Sequence, residues 1–174
     1  MNDALHFFTT IRPLFGHMTQ SQVGGCNALL EASDGLPVTW RAYLLGTAFH
    51  ETAQTMQPIA EYGHGKGRPY GKPGKYGQAQ YGRGYVQLTW DVNYERADRE
   101  LGLNGALLAE FDLALRPDIA AKIAVQGMSD GWFTGRAFKD CLPGDYVHAR
   151  RIINGLDKAD LIAGYAANFE RALA

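Results

Sequence analysis

The stretch between positions 58 and 84 constrains the fold more than any other part of the sequence. It is rich in glycine and proline, which do not sustain a regular helix over that length. Apolar residues at helical spacing recur on both sides of it. Because a long irregular segment inside a compact chain usually carries function, we predict an ordered functional loop or small hairpins here.

Helical patterns account for most of the remaining chain. Before the loop they predict helices over 3–15, over about 19–33 with a capping box at Thr19 to Gln22, and over about 39–55. After the loop they predict a short extended piece at 85–89 and helices starting at Asp91, at Pro117, at Tyr146 and near Asp157. We therefore predict a mainly α-helical protein, one domain over residues 1–174, with two lobes separated by the 56–90 segment.

Composition and charge exclude several classes of protein. The chain has 174 residues, of which 46% are hydrophobic and 20% charged, as in a globular domain with an ordinary core. A formal net charge of −1 gives no electrostatic argument for binding nucleic acid or an anionic membrane. No run approaches the ~20 apolar residues that span a bilayer. We therefore expect a monomer that binds no nucleic acid and makes no stable membrane insertion.

The cysteines and the N-terminal sequence bear on the cellular compartment. Cys26 and Cys141 match no metal motif and form no disulfide framework; they could pair, but such isolated cysteines are more often buried thiols. The first residues lack a basic start followed by an uninterrupted apolar run, since His6 and Arg12 interrupt it. We therefore expect synthesis in the cytosol without a signal peptide.

Two glutamates are the strongest candidates for chemistry. Glu51 follows the apolar run 44–49 near the end of a helix that must be largely buried, and apolar surroundings favour the protonated form that a general acid needs. Glu61 lies at the entrance to the loop, and Pro58 prevents the helix from continuing to it, so the two carboxyls can face each other across a groove. Such a pair is what cleavage of a glycosidic bond requires. The alternatives are that Glu51 is an ordinary surface residue and that Glu61 pairs with a loop cation such as Arg68.

The adjacent His50 and Glu51 also suggest a zinc protease. That motif needs a second histidine four residues after the first, and the residue there is Gln54. The remaining histidines are scattered and form no other ligand set. We therefore expect no metal and no cofactor.

The loop combines aromatic and basic side chains. No acidic residue occurs from Tyr62 to Trp90, whereas five basic ones do: Lys66, Arg68, Lys72, Lys75 and Arg83. Aromatic faces stack on sugar rings and on nucleobases, so single-stranded nucleic acid is an alternative ligand, and a loop packed by its own tyrosines is another reading. We expect Arg68, Tyr81 and Trp90 to contact the substrate.

Neutral polar groups follow the loop. They are Gln87, Thr89, Asn93 and Tyr94. Such groups bind hydroxyls and acetamides, whereas phosphate recognition favours guanidinium groups. The pattern therefore favours an amino-sugar polymer over nucleic acid.

Three motifs resemble family 19 of the glycoside hydrolases. They are Phe49-His50-Glu51-Thr52, the run from Tyr81 to Thr89 with the following Asn93-Tyr94, and Ile153-Asn154-Gly155. They occur in the family's order and span about residues 40–170. The family contains chitinases and bacteriophage endolysins with a lysozyme-like, helix-rich fold. The compact HETAQTMQPIAEYG segment more narrowly resembles phage or prophage endolysins.

The resemblance implies an inverting hydrolysis. Glu51 corresponds to the general acid, Glu61 to the general base that activates water, and Thr89 to a hydroxyl residue that helps hold that water. Inversion requires a carboxyl separation of roughly 6.5–9.5 Å or more. The residues implied at or beside sugar contacts are His50, Gln87, Asn93, Tyr94 and Asn154. Arg171 is the candidate for the family's C-terminal arginine.

The leading functional hypothesis is an endolysin that cleaves the β-1,4 glycan strands of peptidoglycan. Its basic loop suits a polymer whose peptides bear carboxylates, and it would act on the wall once another protein opens the inner membrane. A chitinase with the same residues is the nearest alternative, although the sequence has no cysteine-rich chitin-binding module or secretion signal. A non-catalytic glycan-binding domain is less compatible with the presence of both glutamates. A nucleic-acid binder would show binding that weakens steeply with salt.

Overall fold

The structure, a computed structural model, describes residues 4–174; residues 1–3, where the predicted first helix and the predicted domain begin, lie outside the described residues. Within the described range the elements are α1 (Ala4–Phe15), α2 (Gln20–Ala32), α3 (Val38–Glu51), β1 (Ile59–Ala60), β2 (Arg83–Gly84), α4 (Asp91–Glu100), α5 (Ala106–Ala109), α6 (Pro117–Asp130) and α7 (Ala159–Leu173). Short 3₁₀ helices occur at Pro69–Gly71, Phe111–Leu115, Phe138–Asp140 and His148–Ile152. The predicted mainly helical architecture is confirmed.

Local signals predicted several helix ends correctly. At the start of α2, Gln22 N donates to Thr19 Oγ1 at 3.2 Å and Thr19 N donates to Gln22 Oε1 at 2.8 Å, which is the predicted capping box. Pro117 occupies the first turn of α6, where its missing N–H costs no hydrogen bond. Asp91 begins α4. These ends depend on contacts within a few residues, so the sequence alone specifies them.

Helix α3 ends at Glu51, and the prediction that it continues to Thr55 is wrong. The side chain of Thr52 closes the helix: its Oγ1 donates to Ala48 O at 2.7 Å and accepts from Met56 N at 3.1 Å. The backbone then turns away, with positive φ at Ala53, Gln54 and Met56. Glu51 is therefore the last helical residue.

The glycine- and proline-rich segment is closed at its base by a short antiparallel pair. Ile59 of β1 lies opposite Gly84 of β2, and Ala60 lies opposite Arg83. The extended piece predicted at 85–89 is wrong: Arg83 and Leu88 exchange backbone hydrogen bonds of 3.1 and 2.8 Å, so the chain reverses between them. The helix predicted at 146–153 is the 3₁₀ helix His148–Ile152.

Two hydrophobic cores support the predicted two lobes. The larger contains α1, α2, α3 and α7, and every residue of α3 from Ala42 to Phe49 is buried. The smaller lies around α4, α5 and the 111–115 helix, where Tyr94 and Phe111 stack with ring centroids 3.9 Å apart. Helix α6 contributes to both cores. Because α3 is central to the larger core, its end is a fixed point from which Glu51 projects.

Two of the sequence-level expectations concern cysteines and membranes. Cys26 and Cys141 are both free thiols, and burial raises the pKa of Cys26 to about 12. Within residues 4–174, no helix combines the length and apolar character needed to cross a bilayer.

The segment between the two glutamates is attached to α2. Gln22 Nε2 donates to Gln54 O at 3.0 Å, and Gln57 Nε2 donates to Ser21 O at 2.7 Å. The approach depends on Gly25, because a Cβ added there would lie 1.6 Å from Met56 O. The neighbouring Gly24 is exposed, and a Cβ there would meet nothing within 4 Å. Helix α2 therefore acts as a support for the chain that leads from Glu51 to Glu61.

Replacing Gly25 by alanine is expected to destabilise the protein, whereas Gly24→Ala is the matched control. Gly25→Ala should lower the free energy of unfolding by about 1–3 kcal/mol, because the added methyl group collides with backbone. Gly24→Ala should raise it by about 0.5–1 kcal/mol through helix propensity. Urea denaturation followed by circular dichroism measures both. Equal effects of the two substitutions would contradict the contact between α2 and the 52–58 segment.

Candidate active site

A groove of about 460 Å³ lies where the end of α3, the loop and the chain after His148–Ile152 meet. Its lining residues are Glu51, Glu61, Tyr70, Val86, Gln87, Thr89, Trp90, Ile153 and Asn154. The two candidate carboxylates therefore share one opening.

Glu51 is held by a buried arginine. Arg150 Nη1 donates to Glu51 Oε1 at 2.6 Å, and the side chains of Arg150 and Glu51 are 4% and 19% exposed. Arg150 is itself fixed, since its Nε donates to Asp157 O at 3.0 Å. Glu51 Oε2 has no hydrogen-bond partner among residues 4–174. The ion pair thus orients the carboxylate through one oxygen and leaves the other available.

Glu61 is held by a different part of the chain. Its Oε1 accepts from the Tyr70 hydroxyl at 3.1 Å, and its Oε2 accepts from Gly82 N at 3.3 Å. Its backbone N donates to Gly82 O at 2.7 Å, which continues the pairing of β1 with the chain before β2. The hydrogen bond to Glu61 raises the pKa of Tyr70, because the phenol donates to a carboxylate. In the described part of the chain no hydrogen bond joins Glu61 to Glu51, so each carboxylate has its own support.

In the turn after β2, two residues adopt backbone conformations that are rare for residues other than glycine. Gln87 has φ 58° and Trp90 has φ 75°, and a positive φ is uncommon for a bulky residue. Contacts hold both: Gln87 Nε2 donates to Ile59 O at 3.2 Å, and Trp90 N donates to Gln80 O at 3.0 Å. Strain of this kind persists where the surroundings enforce it and is concentrated at functional sites. Its result here is a half-exposed indole and an amide that line the groove.

Six of the residues predicted from the sequence line this groove. They are Glu51, Glu61, Gln87, Thr89, Trp90 and Asn154. Thr89 Oγ1 donates to Gln87 O at 2.8 Å. Five others do not line it: His50, Arg68, Tyr81, Asn93 and Tyr94.

Three of those five support the turn instead. Tyr94 is fully buried, so it has no surface with which to contact a sugar; its hydroxyl donates to Tyr81 O and accepts from Arg83 Nη1, each at 3.1 Å. The ring of Tyr81 stacks on the His64 ring, with centroids 4.6 Å apart, and Arg83 Cζ lies 3.7 Å from the Tyr81 ring centroid. Asn93 Nδ2 donates to Thr89 O at 2.7 Å. These polar side chains stabilise the fold through contacts within the protein. The sequence motif alone does not show that they have this role.

The other two are His50 and Arg68. His50 precedes Glu51 on α3 and is only partly exposed. Arg68 lines a neighbouring cleft together with Lys66 and Lys72. No group of three His, Cys, Asp or Glu side chains suited to a metal occurs within residues 4–174.

Sequence reasoning missed Arg150 and Tyr70 as functional candidates. Arg171, the candidate for the family's C-terminal arginine, is exposed on α7, donates to Asn168 and does not line the groove. The signal for Arg150 was its position shortly before the Asn154 motif, among apolar neighbours. Nothing in the sequence distinguishes Tyr70 from the other loop tyrosines.

Arg150→Ala is expected to lower the free energy of unfolding by about 3 kcal/mol, since it leaves the Glu51 carboxylate partly buried without a partner. Arg151→Ala, an exposed neighbour in the same turn, should change it by less than about 0.5 kcal/mol. Combining Arg150→Ala with Glu51→Gln should cost less than the sum of the two single changes. Urea denaturation of the four variants measures this coupling, and strict additivity would contradict the ion pair.

Comparisons with known proteins point to one fold. No family model matches the chain. An endochitinase of Arabidopsis thaliana is 34% identical over 84 residues, which cover 48% of this chain and 27% of the endochitinase, so the chain matches only about a quarter of that relative's length.

Among solved structures, chitinase C from Streptomyces griseus superposes with a TM-score of 0.67 at 22% identity, covering 98% of this chain and 78% of that one. A bacterial family 19 chitinase superposes with a TM-score of 0.67 at 21% identity, covering 95% and 93%. The chain therefore has the fold of the family 19 chitinases.

Proposed function

We propose that the protein is a glycoside hydrolase that cleaves β-1,4 bonds between amino sugars with inversion of configuration. The observation that carries this proposal is the pair Glu51 and Glu61, which line one groove while each is fixed by its own partners. The likeness in fold to family 19 chitinases supports the reaction class. The match to a plant endochitinase supports it independently through sequence.

Glu51 is the proposed general acid. Its anchored oxygen binds Arg150, and Oε2 is left to deliver a proton to the oxygen of the departing sugar. A fixed donor lowers the entropic cost of reaching the transition state. The Arg150–Glu51 pair thus serves catalysis by orientation.

Glu61 is the proposed general base. The donors Tyr70 and Gly82 fix both of its oxygens, which orients the carboxylate for a water on the opposite side of the sugar from Glu51. Thr89 lies in the same groove and carries a hydroxyl that can hold that water. A groove of about 460 Å³ has room for a water as well as a sugar ring.

The remaining lining residues suit an N-acetylated sugar. Trp90, 42% exposed, gives an aromatic face on which a pyranose ring packs. Gln87 and Asn154 offer amide donors and acceptors for hydroxyl and acetamide groups. A deep phosphate site would need cationic groups within the groove, and its lining has none.

The proposed polymer is peptidoglycan, as in an endolysin. From Tyr62 to Trp90 the chain beside the groove carries cations and no acidic residue, which suits a glycan whose peptides bear carboxylates. The protein would be made as a monomer in the host cytoplasm and would reach the wall once the inner membrane is permeabilised. Chitin is the second candidate, because the relatives named above are chitinases.

Replacing either carboxylate by its isosteric amide tests the assignment. Glu51→Gln and Glu61→Gln should each lower kcat by about 10²-fold or more, since each removes a proton-transfer group. Glu31→Gln, exposed on α2 away from the groove, is the control and should keep full activity. New reducing ends are measured with purified peptidoglycan and with chitin oligomers. Unchanged lysis by Glu51→Gln would exclude it as the acid, and product from chitin alone would overturn the choice of polymer.

The configuration of the first product tests the mechanism. An inverting enzyme acting on a β-bond releases the α-anomer, because water attacks from the face opposite the departing sugar. Proton NMR of a soluble oligomer digest, recorded before mutarotation, distinguishes the anomers, with a retaining lysozyme as reference. Release of the β-anomer would exclude Glu61 as a base in a single displacement.

A further inference from the structure

A second cavity, of about 450 Å³, lies beside the groove and is strongly basic. We call this cavity the basic cleft. Its lining residues are Gly65, Lys66, Gly67, Arg68, Pro69, Gly71 and Lys72. We propose that the basic cleft binds the carboxylates of peptides attached to a wall glycan, and so makes the enzyme favour peptide-bearing strands over unsubstituted ones. This inference rests on the proposed hydrolase function.

The cations of the cleft form no ion pairs with the described part of the protein. Elsewhere in the loop, Lys75 binds Glu95 at 2.9 Å and Arg83 binds Asp112 at 2.6 Å. By contrast, no carboxylate among residues 4–174 lies within ion-pair distance of Lys66, Arg68 or Lys72. Three like charges around one cavity repel each other, so an anion entering it is favoured.

The backbone that forms the cleft is ordered by its own hydrogen bonds, unlike an irregular exposed run of charged residues. Backbone hydrogen bonds fix successive turns of its wall: Lys66 N to Gly63 O at 2.9 Å, Arg68 N to Gly65 O at 2.8 Å and Lys72 N to Pro69 O at 3.2 Å. Gly71 packs directly on Gly65, since a Cβ added at Gly71 would lie 2.1 Å from Gly65 O. The cations are therefore held on a defined backbone, which reduces the ordering cost of binding.

The cleft and the groove share one wall. The 3₁₀ helix Pro69–Gly71 separates them: Tyr70 lines the groove and binds Glu61, whereas Pro69 and Gly71 line the cleft. A peptide extends by about 3.3 Å per residue, so a short peptide attached to a sugar in the groove can pass over one turn of chain. The position suits a substituent of the glycan, since the glycan itself occupies the groove.

The chemistry favours carboxylates carried by a peptide. Arg68 can bind a carboxylate through two parallel hydrogen bonds, and Lys66 and Lys72 provide point charges. Chitin carries no carboxylate, so an unsubstituted amino-sugar strand gains nothing from the cleft. Because the cations are solvent-accessible, the contribution should shrink as salt rises.

The test compares Lys66→Gln/Lys72→Gln with the wild type on two soluble substrates, a peptide-bearing wall glycan and the same glycan after an amidase has removed the peptides. The variant should raise KM for the peptide-bearing glycan about five-fold at low ionic strength, with kcat and the KM for the peptide-free glycan unchanged. The control Lys122→Gln/Lys139→Gln removes the same charge at exposed positions outside both cavities and should match the wild type.

A binding measurement that needs no activity accompanies this. A synthetic alanyl-glutamate peptide titrated into the Glu51→Gln protein should shift backbone amide NMR signals of residues 65–72, and its fully amidated form should not. No shift, or equal rises in KM on both glycans, would overturn the role of the cleft. If the wild type cleaves neither glycan nor chitin oligomers, the proposed hydrolase function fails, and the titration still decides whether the cleft binds carboxylates.

Discussion

The ion pair between Arg150 and Glu51 is the interaction on which the site depends. It joins the end of α3 to the 3₁₀ helix His148–Ile152, across 99 positions of sequence, with an N–O distance of 2.6 Å. A buried charge pair is stable only where both partners are well placed and hydrogen-bonded, and Arg150 also binds Asp157 O. The larger core fixes α3, so the pair transmits that rigidity to the carboxylate and brings Asn154 to the same groove.

Arg83 has a corresponding role for the rest of the groove. It is nearly buried, and its guanidinium binds Asp112, Tyr94 and two loop carbonyls while packing on Tyr81. These contacts tie the loop and the turn at 85–90 to the smaller core. The turn in turn carries Gln87, Thr89 and Trp90, and Gly82 beside it supports Glu61. Two arginines, one in each half of the protein, therefore position the two proposed catalytic groups.

The loop combines two kinds of cation with different consequences. Arg83 and Lys75 are paired with carboxylates and hold the structure, whereas the three cations of the basic cleft are paired with none in the described chain. The sequence alone does not distinguish these five residues, since each is a basic residue in a glycine-rich context. Only the contacts in the structure distinguish the cations that stabilise the fold from those that are free to bind a ligand. On this basis the loop supports Glu61 on one side, and on the other it carries the cations that we propose bind an anionic substituent.

The sequence alone determined the elements whose causes are local. Residues a few positions apart specify the capping box at Thr19, the start of α6 at Pro117 and the irregular 58–84 segment. They also mark the two glutamates as candidates. Tertiary structure decided that Arg150 is the partner of Glu51 and that Tyr70 binds Glu61. It also decided that Tyr94 is core, because a tyrosine beside a polar motif packs equally well on a sugar or on Phe111. Such choices depend on which distant surfaces meet, and no local pattern encodes that.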